Sequence, residues 1–113
     1  MSTEATLMHH LNAFGEGVDA IMDDFTEQSV LFTPDGPLRG LAPIRGFFDG
    51  FLTNSPPELL QAMTLVRQDI DGEVAYIMWK AEPFIPLATD TFVIRDGKIL
   101  AQSFAVLAPV PVS

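Results

Sequence analysis

The chain contains no cysteine, which excludes disulfides, thiolate nucleophiles and thiolate metal sites and leaves the redox compartment open. Basic residues are scarce: six Lys and Arg stand against fifteen Asp and Glu, a net charge of -9. Such a surface repels phosphate backbones and anionic lipid, so neither nucleic acid nor a membrane is expected as a partner. No apolar run approaches the length that spans a bilayer, and the start, Met1-Ser-Thr-Glu-Ala-Thr6, is polar and acidic where a secretory signal is basic and then apolar. A soluble, cytoplasmic protein is the expectation. The only two histidines, His9 and His10, are adjacent. On a helix they point apart and do not chelate one metal, so no metal and no other cofactor is expected.

What is present is a chain of 113 residues, 48% of them hydrophobic, with a mean hydropathy of +0.27. That length holds one core, so residues 1–113 read as a single domain. The apolar excess points to additional buried surface, either a lined cavity or a subunit contact.

Ser2 or Thr3 caps a first helix running to about Phe14, with Glu4 near its positive end. Leu7, Leu11 and Phe14 define its buried stripe. His10 flanks that stripe and points inward, whereas His9 is turned to water. Gly15-Glu-Gly17 separates a second, short helix, in which Val18, Ile21, Met22 and Phe25 share a face and Asp19, Asp23 and Asp24 form, with Glu27, a solvated acidic one. Ser29 to Thr33 reads as a strand ending in the turn Thr33-Pro-Asp-Gly-Pro37, and Leu38 to Gly40 as a short return. Pro43 opens a third helix carrying Ile44, Phe47, Phe48 and Phe51 on one side, and Asn54-Ser-Pro-Pro57 stops it. From Glu58 onward an extended meander is expected. The fold class is therefore α+β: three N-terminal helices packed on a strongly curved antiparallel sheet, forming a cone with a central pocket. On β-strand alternation Ile77 and Trp79 are placed on the outer face of that sheet, where an apolar patch marks a subunit contact.

The last third of the chain carries the anomaly. Thr91 to Ile94 are strand formers, Asp96-Gly97 supplies the positive-φ pair of a tight turn, and Ile99 to Leu107 resumes the extended pattern. If Phe92 and Ile94 face the core, period-two alternation puts Asp90 on the same apolar face. A carboxyl group there has to be paired, hydrogen-bonded or neutral. Its bland use is a tie to a backbone amide or to Lys80.

Several stretches resemble the SnoaL-like branch of the nuclear transport factor 2-like superfamily: the Gly17-Val-Asp19 helix start, the Val30-Leu-Phe-Thr-Pro34 strand end, Gly40 with Ile44, Arg45 and Phe47, and Asp90-Thr-Phe92 ahead of Asp96-Gly-Lys-Ile99. The resemblance covers nearly the whole chain. It implies a cone-shaped fold with an apolar pocket, in a homodimer, within a superfamily that includes ketosteroid isomerases, polyketide cyclases, dehydratases, epoxide hydrolases and non-catalytic binders. In ketosteroid isomerases an aspartate base works with an oxyanion hole of a tyrosine and a protonated aspartate. Asp90 matches the protonated aspartate, and His10 stands where the tyrosine would be. The base position falls on Thr33, which is no carboxylate, so a steroid isomerase mechanism is not expected. Gln102 and Met78 match positions that look into the pocket, and Lys80 shares the Met78 face.

The resulting expectation is a pocket for a small hydrophobic, carbonyl-bearing molecule. His10 and Asp90 are its candidate acid–base pair, and Gln102, Tyr76, Met78, Lys80, Thr33 and Phe92 are its candidate ligand contacts. Three uses follow: cofactor-free isomerisation, cyclisation or dehydration; ligand capture without chemistry; or a dimerisation module through the sheet.

Overall fold

Ser2 opens the first helix with its hydroxyl accepting the Ala5 N–H at 3.0 Å, and Glu4 lies in the first turn, where the orphan amides favour a negative charge. The structure, a computed structural model, describes residues 1–107. Helices α1 (Thr3–Ala13) and α2 (Val18–Met22) lead into strands β1 (Val30–Thr33) and β2 (Gly36–Arg39). Helices α3 (Leu41–Asn54) and α4 (Pro57–Ala62) follow, and then strands β3 (Thr64–Asp71), β4 (Val74–Ala81), β5 (Ile85–Arg95) and β6 (Lys98–Leu107). The six strands form one sheet in the order β2-β1-β6-β5-β4-β3, so among the described residues it ends in two unpaired edges and does not close. The class is α+β as expected, with helices against a curved sheet.

Two details differ from the sequence reading. The sheet is mixed, because β1 runs parallel to β6 with Val30 opposite Ala101 and Leu31 opposite Gln102. Everything between them, β2, α3, α4 and β3 to β5, forms the long connection that a parallel neighbour requires. Residues 58–62, expected to be extended, form with Pro57 the fourth helix among the described residues. Pro57 sits at its first position with Glu58 in the first turn, and a proline there loses no hydrogen bond and has φ already set for a helix. Helix α4 then buries Leu59 with Ala81, Ile85 and Ala88 at one end of the sheet.

Irregularities in the strands decide which side chains share the inner face. Ile99 and Gln102 are three apart and would point to opposite faces of a regular strand. The register of β5 and β6 shifts between Val93/Ala101 and Ile94/Ile99, leaving Leu100 as an extra residue. This bulge brings both Ile99 and Gln102 inward, opposite Ile94 and Phe92. At the turn, Asp96 and Gly97 adopt positive φ of 51° and 76°, as the hairpin geometry demands. The main core joins Leu7, Ile21, Leu31, Ile44, Phe92 and Ile99, all 1% exposed or less.

On β4 the expected facing is reversed. Ile77 is buried opposite Asp90, and Trp79 lies opposite Ala88, both on the inner face. Tyr76, Met78 and Lys80 occupy the outer face, and Lys80 pairs with Glu82 at 3.1 Å. The strand has apolar residues at both parities, and Lys80 is its only charge. Turning the odd set inward leaves that ammonium in water.

Candidate functional site

Helices α1 and α3 and the inner face of the sheet enclose a cavity of about 240 Å³. Its wall is aromatic: Phe14 from α1, Phe47, Phe48 and Phe51 from α3, and Phe92 and Phe104 from the sheet. Met63, Thr64 and Leu65, where α4 runs into β3, line the same cavity. Among its lining residues only Asp90 and His10 are titratable, and neither a lysine nor an arginine contributes.

Asp90 is 8% exposed. Trp79 Nε1–H donates to its Oδ1 at 2.8 Å and Gln102 Nε2–H to its Oδ2 at 2.9 Å. Both donors reach it from diagonal positions on the neighbouring strands: β4 places Ile77 opposite Asp90 with Trp79 two residues on, and β6 places Phe104 opposite with Gln102 two residues back. That diagonal is within reach of long side chains on one face. Burial pushes the Asp90 carboxyl above the ordinary aspartate range, and the Trp79 and Gln102 hydrogen bonds pull it partly back. The group thus has hydrogen-bond partners on both oxygens and no cation. A carboxylate offers about four lone-pair sites, so Asp90 retains acceptor capacity on its cavity side. Gln102, 3% exposed, keeps its own Oε1 without a partner among the described residues.

His10 is 1% exposed and sits in an aromatic cage, edge-on to Phe14, Phe25, Phe48 and Phe92 with centroids 5.3 to 5.9 Å apart. Burial, aided by the neighbouring His9, holds its pKa down to about 3, so the ring is neutral at pH 7. Its Nδ1 has no hydrogen-bond partner among the described residues. The expected contact between His10 and Asp90 is not formed: the carboxyl is held by Trp79 and Gln102 instead. A histidine of such low basicity does not accept a proton readily at neutral pH.

The structure therefore gathers four of the sequence candidates, His10, Asp90, Phe92 and Gln102, around one cavity. It places the other four elsewhere. Tyr76, Met78 and Lys80 fall on the outer face for the reason given above. The Thr33 hydroxyl donates to Gly36 O at 2.8 Å and accepts the Asp35 N–H at 3.1 Å, which commits it to the β1–β2 turn. Trp79, assigned to the outer face on sequence, is the residue that alternation missed. Its indole N–H can only donate, and a buried carboxyl one strand away is the acceptor it requires.

The acidic helix face is also revised. Asp24 was expected in solvent but is 4% exposed, and its Oδ2 meets His9 Nδ1 at 2.8 Å. His9, on the wet side of α1 as expected, has its pKa raised by that hydrogen bond and by the Asp24 charge. Burial pushes Asp24 upward while the bond to His9 pulls it down. No group of three or more His, Asp or Glu side chains suited to a metal ion occurs among the described residues.

No family model and no curated protein sequence matches the chain. Solved structures do. A nuclear transport factor 2-like protein from Burkholderia xenovorans superimposes with a TM-score of 0.74 at 14% identity, over 98% of this chain and 87% of that one. A SnoaL-like protein from Burkholderia thailandensis gives 0.74 at 13% identity, over 94% and 95% of the two chains. A Sinorhizobium meliloti protein assigned to the polyketide cyclases gives 0.73 at 17% identity, over 89% and 94%. At such identities the likeness speaks for architecture and leaves chemistry to the site. With its helices laid against an open, curved six-stranded sheet, the chain has the nuclear transport factor 2-like fold.

Proposed function

We propose that the protein captures a small, largely apolar molecule in the aromatic cavity, with one polar head group of the ligand seated on Asp90 and Gln102. The observation that carries this reading is a buried carboxyl group lining an apolar cavity with no cationic side chain beside it. A structural carboxyl is ordinarily paired or left in water, because burial of an uncompensated charge is costly. The cavity volume of about 240 Å³ lies below the ~300–1,000 Å³ of drug-sized sites, which favours a single ring or a short chain over a steroid. Thermal unfolding with a panel of small aromatic ketones, alcohols, amines and acids tests it. A ligand selective for the folded state raises the melting temperature with concentration, and a panel without effect would overturn the reading.

A second reading is cofactor-free isomerisation, cyclisation or dehydration of a carbonyl compound. The raised pKa of Asp90 favours it, since burial stabilises the protonated carboxyl, the form that donates to a developing oxyanion. The turn-bound Thr33 and the unpaired, weakly basic His10 leave this reaction without an evident base. Turnover of a bound ketone that is abolished in Asp90→Asn would establish it.

The partner side of the proposal is a homodimer through the outer face of the sheet, where Phe32, Val74 and Leu107 are 48%, 43% and 57% exposed. A dimer mass in light scattering at micromolar concentration is expected, and a monomer mass counts against it.

A further inference from the structure

The polar atoms of the cavity have an uneven hydrogen-bonding capacity. On the acceptor side stand the remaining lone pairs of Asp90, with the unpartnered Gln102 Oε1 buried behind them. On the donor side, the Trp79 N–H and one Gln102 N–H are already committed to the carboxylate, and His10, neutral, has one N–H at most. Charge is equally uneven. Asp90 is buried without a cation, and Lys80, the one cation of β4, lies on the opposite face with Glu82. The walls complete the pattern, because phenylalanine faces carry negative quadrupole potential that attracts a cation within about 6 Å of the ring centre. A carbonyl compound could use the second Gln102 N–H or a His10 N–H but leaves the Asp90 charge unanswered, and an anionic carboxylate meets Asp90 itself. A protonated amine has three N–H donors, one positive charge and a hydrocarbon body.

We propose that the ligand of this cavity is a small aromatic or alicyclic primary amine, bound as its ammonium ion with its N–H groups on Asp90 and its hydrocarbon against Phe14, Phe48 and Phe92. The inference rests on the capture reading and names the class of molecule captured. The ammonium supplies the missing counter-charge to Asp90, and in a dry cavity such a pair is worth far more than at a surface. The amine accordingly binds best where Asp90 is ionised and weakens as pH falls through the carboxyl midpoint. Of the groups facing Asp90, His10 from α1 stays neutral across that range, and α3 and strands β3, β4 and β6 contribute no titratable side chain to the cavity.

The test uses the full chain and its single tryptophan, which is hydrogen-bonded to Asp90 and so reports on the site directly. Four probes of similar size are titrated at pH 7.5 against Trp79 emission: phenethylamine, phenethyl alcohol, benzylacetone and hydrocinnamate. Phenethylamine is expected to saturate the signal and to bind about tenfold or more tightly than the alcohol, with hydrocinnamate weakest. That preference should fade as pH is lowered through the Asp90 midpoint and be absent in Asp90→Asn. If the alcohol or the ketone binds as well as the amine, the amine inference falls while the capture reading stands. If no probe changes the emission or the melting temperature, both fall. The pH series on the wild-type chain decides the matter even if Asp90→Asn fails to fold.

Discussion

Replacing Asp90 by asparagine should make the protein more stable at neutral pH. In the wild-type chain Trp79 and Gln102 each direct an N–H to the carboxylate, at 2.8 and 2.9 Å, and Gln102 Oε1 has no partner. Asparagine keeps the shape and removes the charge. Its Oδ1 accepts the Trp79 N–H, and its Nδ2 then faces Gln102, whose amide rotates to present Oε1. The Gln102 oxygen gains a partner by that rotation while its Nε2 moves to the place where the oxygen had none, so the hydrogen-bond count is unchanged. The gain comes from the loss of an uncompensated buried charge, about 1–3 kcal/mol. The pH dependence has a definite sign. The Asp90 pKa is raised on folding, so the folded state binds the proton more tightly and wild-type stability falls as pH rises from the ordinary carboxylate range through the folded midpoint. The variant lacks that contribution. Its advantage should therefore be small near pH 4, grow across the window and level off above it, while contributions from Asp24 and His9 cancel between the two proteins. Urea unfolding followed by far-ultraviolet circular dichroism at several pH values measures this. An asparagine variant less stable than wild type by about 1 kcal/mol at pH 7, or an advantage independent of pH, would refute the reasoning.

The remaining predictions concern neighbouring groups. His10→Phe keeps the edge-on aromatic contacts and removes the unpaired Nδ1, so it should raise stability by about 1 kcal/mol in urea while altering ligand affinity. His9 has a raised pKa, so its contribution to stability is complete below the unfolded value of about 6.5 and is lost as pH rises through the folded midpoint. Proton titration by NMR should show that midpoint dropping toward normal in Asp24→Asn. Met78→Ala and Lys80→Ala, on the outer face, should leave the affinity of any cavity ligand within about twofold of wild type, and a large loss in isothermal titration would mean the face assignment is wrong.

Much of the architecture is local in origin and was readable. The Ser2 cap, the inward His10 beside an outward His9, and the Asp96-Gly97 turn each follow from a few adjacent residues. The inward facing of Asp90 follows from Phe92 and Ile94 alone. What was not readable depends on long-range pairing or on balanced alternatives. Strand β4 is apolar at both parities, Ala75, Ile77 and Trp79 against Val74, Tyr76 and Met78, and family resemblance favoured the wrong set. Lys80 carried the correction, since the face that holds it cannot be the dry one. Asn54-Ser-Pro-Pro57 reads as a stop, yet Pro57 is a start, an ambiguity inherent in a residue that both ends one helix and begins another. The Leu100 bulge and the parallel β1–β6 pairing lie in the register, which no single stretch of sequence specifies. The Asp24–His9 pair joins the turn after α2 to α1 across fifteen residues, a separation that no local pattern encodes.

The titration of the Asp90 carboxyl itself, followed by carbon-13 NMR together with the indole N–H of Trp79, bears on the centre of this account most directly. A midpoint above the ordinary aspartate range, with the Trp79 indole resonance moving at the same pH, is the predicted result. An ordinary or depressed midpoint, with an indole signal that does not respond, would contradict it.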